Sequence, residues 1–283
     1  MTDPAIAPPD GAPKVSAIVV CKDRLDQLQQ TLPLLLAQPF QEVVVVDYDC
    51  PAGTADWVAK SHPTVKLVRV HGPPAFNLAV ARNRGAEATG APWLFFMDVD
   101  VLTRPTFLTS TFERLKPGVF LIGDPLPPEL WGTVFIQRRD FDAIGGYDEV
   151  FQGWGVEDTD LNQRLEALGV RKDVYDARLV ECILHTDELR TRHHVIKDRY
   201  LSGAVNEFYR ELKRYLESLG VFLDVEGRRR VYADVRKAFA AGRAPETFEV
   251  VFRQDSYWGI GWKTSLKFEF DPRAPGPNVP PPA

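Results

Sequence analysis

The sequence predicts an α/β fold in which helices flank a mostly parallel β-sheet. Short apolar runs rich in β-branched residues recur between residues 15 and 97. Stretches with apolar residues at helical spacing alternate with these runs, an order typical of a parallel sheet covered by helices. The chain has 283 residues, which is long enough for one large α/β domain or for one domain with an extension.

The first elements alternate as strand and helix. Leucines recur at helical spacing from Leu25 to Leu36 and predict an amphipathic helix. Pro33 within it has no backbone N–H, so we expect that helix to be kinked or shortened. A second helix is predicted over 77–89, where Gly90 supplies the C-terminal stop. Apolar runs predict buried strands at 15–20, 43–46, 65–70 and 93–97.

The pattern changes after about residue 119, where the alternation becomes less regular. A long charged stretch with an apolar stripe is predicted to be helical, and two alternating runs flank a loop rich in glycine and aromatic residues. The predicted elements are strands at 119–122 and 133–136, a helix at 157–168 closed by Gly169, a helical region at 203–241 and strands at 246–253 and 262–270.

These elements divide the chain into four segments. Both ends are rich in proline and have little apolar surface to bury, so we expect them to be disordered. The segments are a disordered tail at 1–13, an α/β domain at 14–195, a helical and β-hairpin extension at 196–270 and a disordered tail at 271–283.

The composition is that of a folded protein without nucleic acid as its partner. Apolar residues make up 45% and charged residues 26% of the chain, and the net charge of −5 gives no basic stripe for nucleic acid. The three cysteines, Cys21, Cys50 and Cys182, form no disulfide framework and favour a reducing compartment. No apolar run reaches the roughly 20 residues of a membrane span, and the N-terminus does not read as a signal peptide. We therefore expect a cytoplasmic protein. Three roles stay open for the extension at 203–270: it would shape the acceptor site, mediate a homodimer or serve only as a packing brace.

Two carboxylates follow the strand predicted at 93–97. Asp98 and Asp100 are one residue apart, and ligands of parallel sheets bind outside the carboxyl ends of the strands. Paired carboxylates at that edge can bind a hard divalent cation, which can neutralise a diphosphate leaving group. The alternative is a solvated turn, because Asp-X-Asp is frequent by chance.

A second cluster of acids lies at Gly153–Asp160. Two glycines surround Trp154, whose aromatic face is suited to the apolar side of a sugar ring. Glu157, Asp158 and Asp160 then open the predicted helix, and a carboxylate beside an acceptor hydroxyl can act as general base. Helix capping and the helix dipole would explain one or two of these acids, but not the turn before them.

A third group contains histidines. His185 ends the apolar stretch that begins at Cys182, and it is placed to complete a metal shell of aspartate and histidine. His193 and His194 follow it. A single histidine is more often structural or simply exposed.

The three groups, in this order, resemble the GT-A glycosyltransferases of family 2, with a closing segment similar to the β-1,4-galactosyltransferases. The resemblance covers about 14–195, where 153–158 matches the family's Gly-Trp-Gly-X-Glu-Asp and 81–85 its Ala-Arg-Asn-X-Gly. It implies a Rossmann-like GT-A sheet. It further implies Asp158 as catalytic base and Trp154, Gly155 and Glu157 as acceptor contacts.

The resemblance also implies a donor site and a metal. Asp98, Asp100 and His185 would be the metal ligands, with Mn²⁺ favoured and Mg²⁺ as the alternative. Cys182 stands where the galactosyltransferases have a methionine ligand, and it either ligates the metal or packs. The family 2 pattern Asp-Asp-Gly-Ser is replaced here by Asp47-Tyr48-Asp49-Cys50. The implied donor contacts are Cys21, Asp23, Arg24, Asp47, Phe76, Asn77, Arg82 and Asp98.

The implied activity is an inverting, metal-dependent transfer of a hexose or N-acetylhexosamine. The donor would be a UDP-sugar, galactose-type by resemblance, and the acceptor hydroxyl would belong to a glycan or a small molecule. Two alternatives stay open. A nucleotidyltransferase acting on sugar phosphates uses a similar sheet, although it normally has a glycine-rich loop where this chain has 21–24. A catalytically inactive sugar-binding module would keep Trp154 without needing the acids.

Overall fold

The computed structural model describes residues 9–71, 75–125, 127, 130–184, 186–240, 243–255, 259 and 261–271. The chain separates into two compact units, Met1–Arg199 and Tyr200–Ala283. Most of the two terminal segments expected to be disordered, namely 1–8 and 272–283, lies outside the described residues.

The first unit is built on a seven-stranded sheet with the order β3-β2-β1-β4-β7-β6-β8. Of these strands β7 alone runs against its neighbours, because it pairs antiparallel with both β4 and β6. The predicted α/β class and mostly parallel sheet are therefore confirmed. The strands are β1 (Val15–Cys21), β2 (Glu42–Asp47), β3 (Lys66–Arg69), β4 (Trp93–Asp98), β6 (Val119–Asp124), β7 (Val134–Gln137) and β8 (Arg171–Asp176).

The helices of this unit lie on the two faces of the sheet. Alternate residues of β1 point to opposite sides, as the strand period requires, so Val19 joins one apolar cluster and Ile18 the other. The first cluster contains the leucines of α1, and the second contains apolar residues of α3 and α6. The helices are α1 (Leu25–Leu36), α2 (Thr54–Ser61), α3 (Leu78–Glu87), α4 (Phe107–Thr111), α5 (Arg138–Ala143), α6 (Glu157–Ala167) and α7 (Asp187–Thr191).

Helix α3 packs unusually close to the sheet at Gly85. A Cβ atom at this position would lie 2.4 Å from Cγ2 of Ile18 and 2.9 Å from Cγ2 of Val46. Contacts this short do not occur between real side chains, so the glycine is needed for the approach. This close packing brings the N-terminal half of α3 to the carboxyl edge of the sheet.

Two short strands extend that edge. They are β5 (Val101–Thr103) and β9 (Val180–Cys182), which pair antiparallel with Val101 opposite Cys182. The sequence did not predict them, because three residues are too few to show a period. They place the chain after β4 beside the chain that leads to residue 184.

The expectation that Pro33 would shorten α1 is wrong. The helix continues to Leu36, and the N–H of Ala37 still donates to the carbonyl of Pro33 at 3.1 Å. Pro33 stands in the last turn, so the helix loses one internal hydrogen bond and no following turn. Burial of Leu32 and Leu35 against the sheet holds the segment in place.

The second unit contains two helices and a hairpin. The single helical region predicted at 203–241 is instead two helices, α8 (Arg199–Ser218) and α9 (Val225–Ala238). Gly220, with a φ of 77°, ends α8, since its N–H and that of Val221 return to carbonyls of the last turn. Strands β10 (Thr247–Asp255) and β11 (Gly261–Glu269) form the predicted hairpin.

An aromatic cluster forms the centre of the second unit. The ring of Phe208 on α8 makes edge contacts with Phe248, Phe268 and Phe270 at 4.8–5.3 Å between centroids. Phe239 packs on Phe270 at 5.7 Å. The hairpin therefore buries its phenylalanine face on the helices. Throughout the described part of the chain, every helix is too short or too polar to cross a lipid bilayer.

Candidate active site

The carboxyl edge of the parallel strands carries most of the side chains that the sequence singles out. The register pairs Cys21 with Asp47 and Val20 with Asp98, so the ends of β1, β2 and β4 meet at one level. Ligands of such sheets bind at this edge. The predicted donor and metal residues that follow these strands therefore share one side of the sheet.

Arg82 joins two carboxylates that are distant in sequence. Its side chain is 1% exposed on α3, and its Nη2 donates to Oδ1 of Asp98 at 2.9 Å. Its Nη1 donates to Oδ1 of Asp158 at 2.5 Å and lies 4.0 Å from Oε1 of Glu157. The buried guanidinium of Arg82 thus connects Asp98, the predicted metal and donor residue, with Asp158, the predicted base. That Arg82 itself contacts the donor stays a prediction.

Gly132 makes room for this arrangement. A Cβ atom there would lie 2.3 Å from Nη2 of Arg82 and 3.0 Å from Oδ2 of Asp98. The carbonyl of Gly132 also accepts a hydrogen bond from Nη2 at 3.3 Å. The backbone at 132 therefore forms the wall against which the pair of Arg82 and Asp98 is fixed.

Glu157 and Asp158 are the first two residues of α6 and directly follow a residue with a strained backbone conformation. Val156 has a φ of 81°, and no side chain caps the helix at this residue. The backbone turn at Val156 therefore sets the direction of the two acids that follow it. Burial raises the pKa of Asp158, and the charge of Arg82 acts against this rise. Burial and the neighbouring Asp158 raise the pKa of Glu157 to about 8. Burial and the neighbouring acid therefore favour the protonated form of Glu157, while Arg82 favours the carboxylate of Asp158.

Tyr147 is a site residue that the sequence analysis missed. Its hydroxyl donates to Oδ1 of Asp158 at 3.4 Å, and its ring centroid lies 5.1 Å from the guanidinium carbon of Arg82. Its backbone is held by Asn83 on α3, which donates to the Tyr147 carbonyl at 2.9 Å and accepts from its N–H. No local pattern marks a tyrosine in this role, because its partners come from other elements.

Asp160 has a structural role in α6. Its Oδ2 accepts from Nε of Arg164 at 2.7 Å, one helical turn later. Arg164 donates in turn to the carbonyls of Ile144 and Gly146 at 2.8 Å. Asp160 therefore helps to attach α6 to the loop before it. Of the three acids in the first turn, Glu157 and Asp158 face the candidate site through Arg82.

Asp100 lies at the start of the short β5–β9 ladder. Its Oδ2 accepts from Nη1 of Arg24 at 3.0 Å, and its carbonyl accepts from the N–H of Ile183 at 2.8 Å. The chain that leads to His185 therefore runs beside Asp100. His185 itself lies outside the described residues, and among those that are described no three acids, histidines or cysteines are grouped closely enough to hold a metal.

The donor set nevertheless fits a hard divalent cation. Asp98 and Asp100 supply carboxylate oxygens, the ligand type that Mg²⁺ and Mn²⁺ prefer. Cys182 differs from them, because it lines an apolar cavity of about 340 Å³ with Val180 and Leu184. This position suits packing better than ligation, and its predicted metal role stays untested.

Asp47 organises the turn after β2. Its Oδ1 accepts from the N–H of Cys50 at 2.8 Å and its Oδ2 from that of Ala55 at 3.0 Å. Burial raises its pKa. Both oxygens thus bind backbone groups, and a donor contact of Asp47 stays a prediction.

Residues near the C-terminal end of the first unit, Arg192 and His193, contact the loop after β1. Asp23, with a φ of 56°, accepts through Oδ2 from Nη1 of Arg192 at 2.9 Å, and Nε2 of His193 lies 2.9 Å from the same oxygen. The sequence named His193 without assigning it a role, and it missed Arg192. Both residues bring the segment after α7 onto the predicted donor side.

Phe76 and Asn77 stand at the start of α3. Asn77 caps the helix by accepting from the N–H of Val80 at 3.0 Å, and its amide donates to the carbonyls of Glu149 and Phe151 at 3.0 Å. Phe76 packs edge-on against Tyr48, with 5.2 Å between ring centroids. Asn77 therefore ties the donor side to the chain that leads to Trp154.

Trp154 and Gly155 form the turn before α6. Gly155 has a φ of 91°, a backbone conformation that glycine adopts without strain. The guanidinium of Arg199 lies 4.2 Å from the centroid of the Trp154 ring. The sequence predicted that the Trp154 ring packs against a sugar, and in the structure the guanidinium of Arg199 also stacks on this ring.

Comparison with known proteins agrees with this geometry. The model of glycosyl transferase family 2 matches residues 16–152, and that of the N-terminal domain of galactosyltransferase matches 127–191. The mannosyltransferase PcManGT of Pyrobaculum calidifontis, solved with GDP-Man and Mn²⁺, has a TM-score of 0.52 at 16% identity, over 85% of this chain and 79% of that one. TarS of S. aureus has a TM-score of 0.54 at 16% identity, over 80% and 44% of the two chains.

The fold is that of the GT-A glycosyltransferases. The two family models jointly cover residues 16–191, and over this range the chain is similar to glycosyltransferases of family 2 and to galactosyltransferases. Validoxylamine A glucosyltransferase of Streptomyces hygroscopicus subsp. limoneus is 26% identical over 58% of this chain and 51% of its own length. The O-antigen biosynthesis protein RfbC of Myxococcus xanthus is 25% identical over 58% and 17%. The chain thus spans about half the length of the first of these relatives, and less of the second.

Proposed function

We propose that this chain transfers a hexose or N-acetylhexosamine from a UDP-sugar to an acceptor hydroxyl with inversion at the anomeric carbon. The observation that carries the proposal is the double contact of Arg82 with Asp98 and Asp158. A transferase needs its donor and acceptor sides at a fixed separation, and a shared buried cation provides this. A module that only binds sugar has no need for such a connection.

Asp158 is the proposed general base. It accepts the proton of the acceptor hydroxyl, whose oxygen then attacks the anomeric carbon from the face opposite the diphosphate. The hydrogen bond from Arg82 opposes the rise in the pKa of Asp158 that burial causes. Glu157, whose pKa is raised by burial, hydrogen-bonds to the acceptor, and Trp154 packs on the apolar side of its sugar ring.

Asp98, Asp100 and His185 are the proposed metal ligands. A bound divalent cation supplies positive charge to the leaving diphosphate. Mn²⁺ is favoured, in keeping with the cation in the mannosyltransferase structure. Arg24 holds Asp100 from the side of β1 and so fixes the direction of this carboxylate.

Three hexoses are candidates for the transferred sugar. The Gly-Trp-Gly-X-Glu-Asp segment favours galactose, whereas the Streptomyces relative is a glucosyltransferase and the mannosyltransferase was solved with GDP-Man. A hexose is common to all of them. A panel of UDP-galactose, UDP-glucose, UDP-N-acetylglucosamine and GDP-mannose distinguishes these donors.

The experiment is to measure nucleotide diphosphate release from each donor with Mn²⁺, with and without simple glycoside acceptors. Asp158→Asn should lower turnover by about 10²–10⁴-fold, the usual contribution of a general base. Asp142→Asn is the matched control, because Asp142 is exposed on α5 and pairs only loosely with Arg138 at 3.7 Å. Full activity of Asp158→Asn would remove this residue from the role, and no release from any donor would contradict the transferase.

A further inference from the structure

Two cysteines meet at the carboxyl ends of β1 and β2. Cys21 is the last residue of β1, and its register partner on β2 is Asp47. Cys50 follows three residues later, and its N–H donates to Oδ1 of Asp47 at 2.8 Å. The turn thereby directs the Cys50 side chain back to Cys21. Cys21 is fully buried and Cys50 is half-buried.

Several donors converge on the sulfur of Cys50. The hydroxyl of Thr54 donates to it at 3.0 Å, and the backbone N–H of Asp23 does so at 3.1 Å. The sulfur of Cys21 lies 3.3 Å from the same Thr54 hydroxyl oxygen, so this one hydroxyl group contacts both sulfurs. Sulfur in a shell of donors is stabilised as the thiolate, which is the reactive form of cysteine.

The two sulfurs are electronically unequal. Hydrogen bonds, first that from Cys21, lower the pKa of Cys50 to about 4. The same hydrogen bond and burial raise the pKa of Cys21 well above its ordinary value. A partly accessible thiolate beside a buried thiol is the arrangement of an attacking and a resolving cysteine.

We propose that Cys50 and Cys21 form a redox-active dithiol that is oxidised to a disulfide by hydrogen peroxide. The Cys50 thiolate attacks one peroxide oxygen, the O–O bond breaks, and the released hydroxide takes up a proton to become water. Cys50 is then a sulfenic acid. The sulfur of Cys21 attacks that of Cys50, the S–S bond forms, the S–O bond breaks, and the departing hydroxide takes the Cys21 proton as a second water. Two thiols are oxidised and one peroxide is reduced.

Oxidation changes the loop on the proposed donor side. The disulfide removes the thiolate that accepts from the N–H of Asp23, and Arg24, the next residue, holds Asp100 at 3.0 Å. This consequence rests on the proposed function, and we expect the disulfide to weaken nucleotide binding. The formation of the disulfide does not depend on that function.

The first test labels the reduced wild-type chain with a limiting amount of iodoacetamide at neutral pH. Cys50 should react at least about tenfold faster than Cys182, since reactivity follows thiolate content and access. The same chain treated with hydrogen peroxide should lose two hydrogen atoms by intact mass, and digestion should show Cys21 joined to Cys50.

Three variants separate the roles of the cysteines. Cys21→Ser should stop at the sulfenic acid, which dimedone traps on Cys50, whereas Cys50→Ser should lose both the trapping and the mass change. Cys182→Ser is the matched control and should form the disulfide at the wild-type rate. Preferential labelling of Cys182, or no mass loss in the folded wild type, would overturn the proposal.

The last arm compares the melting temperatures of the reduced and oxidised chains with UDP and Mn²⁺. A smaller ligand shift in the oxidised chain is expected. An equal shift in both forms would reject the effect on binding. Absence of a shift in the reduced chain would contradict the proposed donor site, while the mass data would still decide on the dithiol.

Discussion

Nη1 of Arg82 lies 2.5 Å from Oδ1 of Asp158, and the other terminal nitrogen of this guanidinium holds Asp98 at 2.9 Å. The two acids are far apart in the sequence and belong to different sides of the proposed reaction. Arg82 is buried between them. Removing such a cation leaves carboxylates buried without a partner, which is costlier than losing an exposed ion pair.

Replacing Arg82 by lysine should damage both stability and turnover. Lysine keeps the charge, but its single ammonium cannot reproduce the two directed contacts. We expect the free energy of unfolding to fall by roughly 1–3 kcal/mol, as for a buried polar group that loses its partner. The pKa of Asp158 should rise, so the acidic limb of the kcat profile should move to higher pH.

The matched control is Arg84→Lys on the same helix. Arg84 is half exposed and pairs with Glu87 at 2.7 Å. Urea unfolding and kcat profiles for both variants check the prediction. Equal unfolding free energies and equal kcat profiles for Arg82→Lys and Arg84→Lys would show that the contacts of Arg82 with Asp98 and Asp158 contribute neither to stability nor to turnover.

Gly132→Ala should disturb the same pair without touching a charge. The Cβ atom of the new alanine would lie 2.3 Å from Nη2 of Arg82, so the guanidinium or the backbone must move. Overpacking of this kind costs typically about 1–3 kcal/mol, and kcat should fall as well. Gly90→Ala is the control, because a Cβ there has no neighbour within 4 Å. Equal melting temperatures and kcat values for the two variants would refute the tight fit.

Glu157 should make stability depend on pH. Its pKa is raised from 4.5 to about 8 in the folded chain, so the folded state binds more protons than the unfolded state between these values. The free energy of unfolding contributed by this group must therefore decrease as pH rises from 4.5 to about 8. Glu157→Gln, which keeps a neutral side chain, should lack this decrease. Urea titrations at several pH values compare the two, and parallel curves would show that the Glu157 pKa is not raised.

Asp47→Asn should loosen the turn after β2. An amide has one accepting oxygen, whereas the carboxylate accepts from the amides of both Cys50 and Ala55. One buried N–H then lacks a partner, at a cost of roughly 1–3 kcal/mol. Asp49→Asn is the control, since Asp49 is largely exposed two residues later. Thermal unfolding measures both, and an unaffected Asp47→Asn would mean that the turn does not depend on this side chain.

The sequence predicted the sheet well because buried parallel strands leave long apolar runs. The four valines at 43–46 and the run at 93–97 are such cases. Strands β5 and β9 were missed, since each has three residues and is defined only by its partner. The break at Gly220 between α8 and α9 was also missed, although a glycine at a helix end is a recognised stop signal.

The sequence allowed the positions of the acids to be inferred, but not the contacts that connect them. Asp98 and Asp158 follow or begin regular elements, so their positions relative to the sheet could be inferred. The roles of Tyr147 and Gly132 arise from contacts with Arg82 across separate elements, and no local spacing encodes these. Arg82 was assigned to the donor through a short resemblance, whereas the structure shows the ion pairs that it makes with both acids.

The most direct test of the proposed function is the melting temperature with UDP, GDP or ADP, each with and without Mn²⁺. A ligand that binds only the folded state raises the melting temperature, by an amount set by its concentration relative to Kd. We predict a metal-dependent rise with UDP that is reduced in Asp100→Ala. Unchanged melting temperatures with every nucleotide and metal would contradict a donor site at Asp98 and Asp100, and with it the proposed transferase activity.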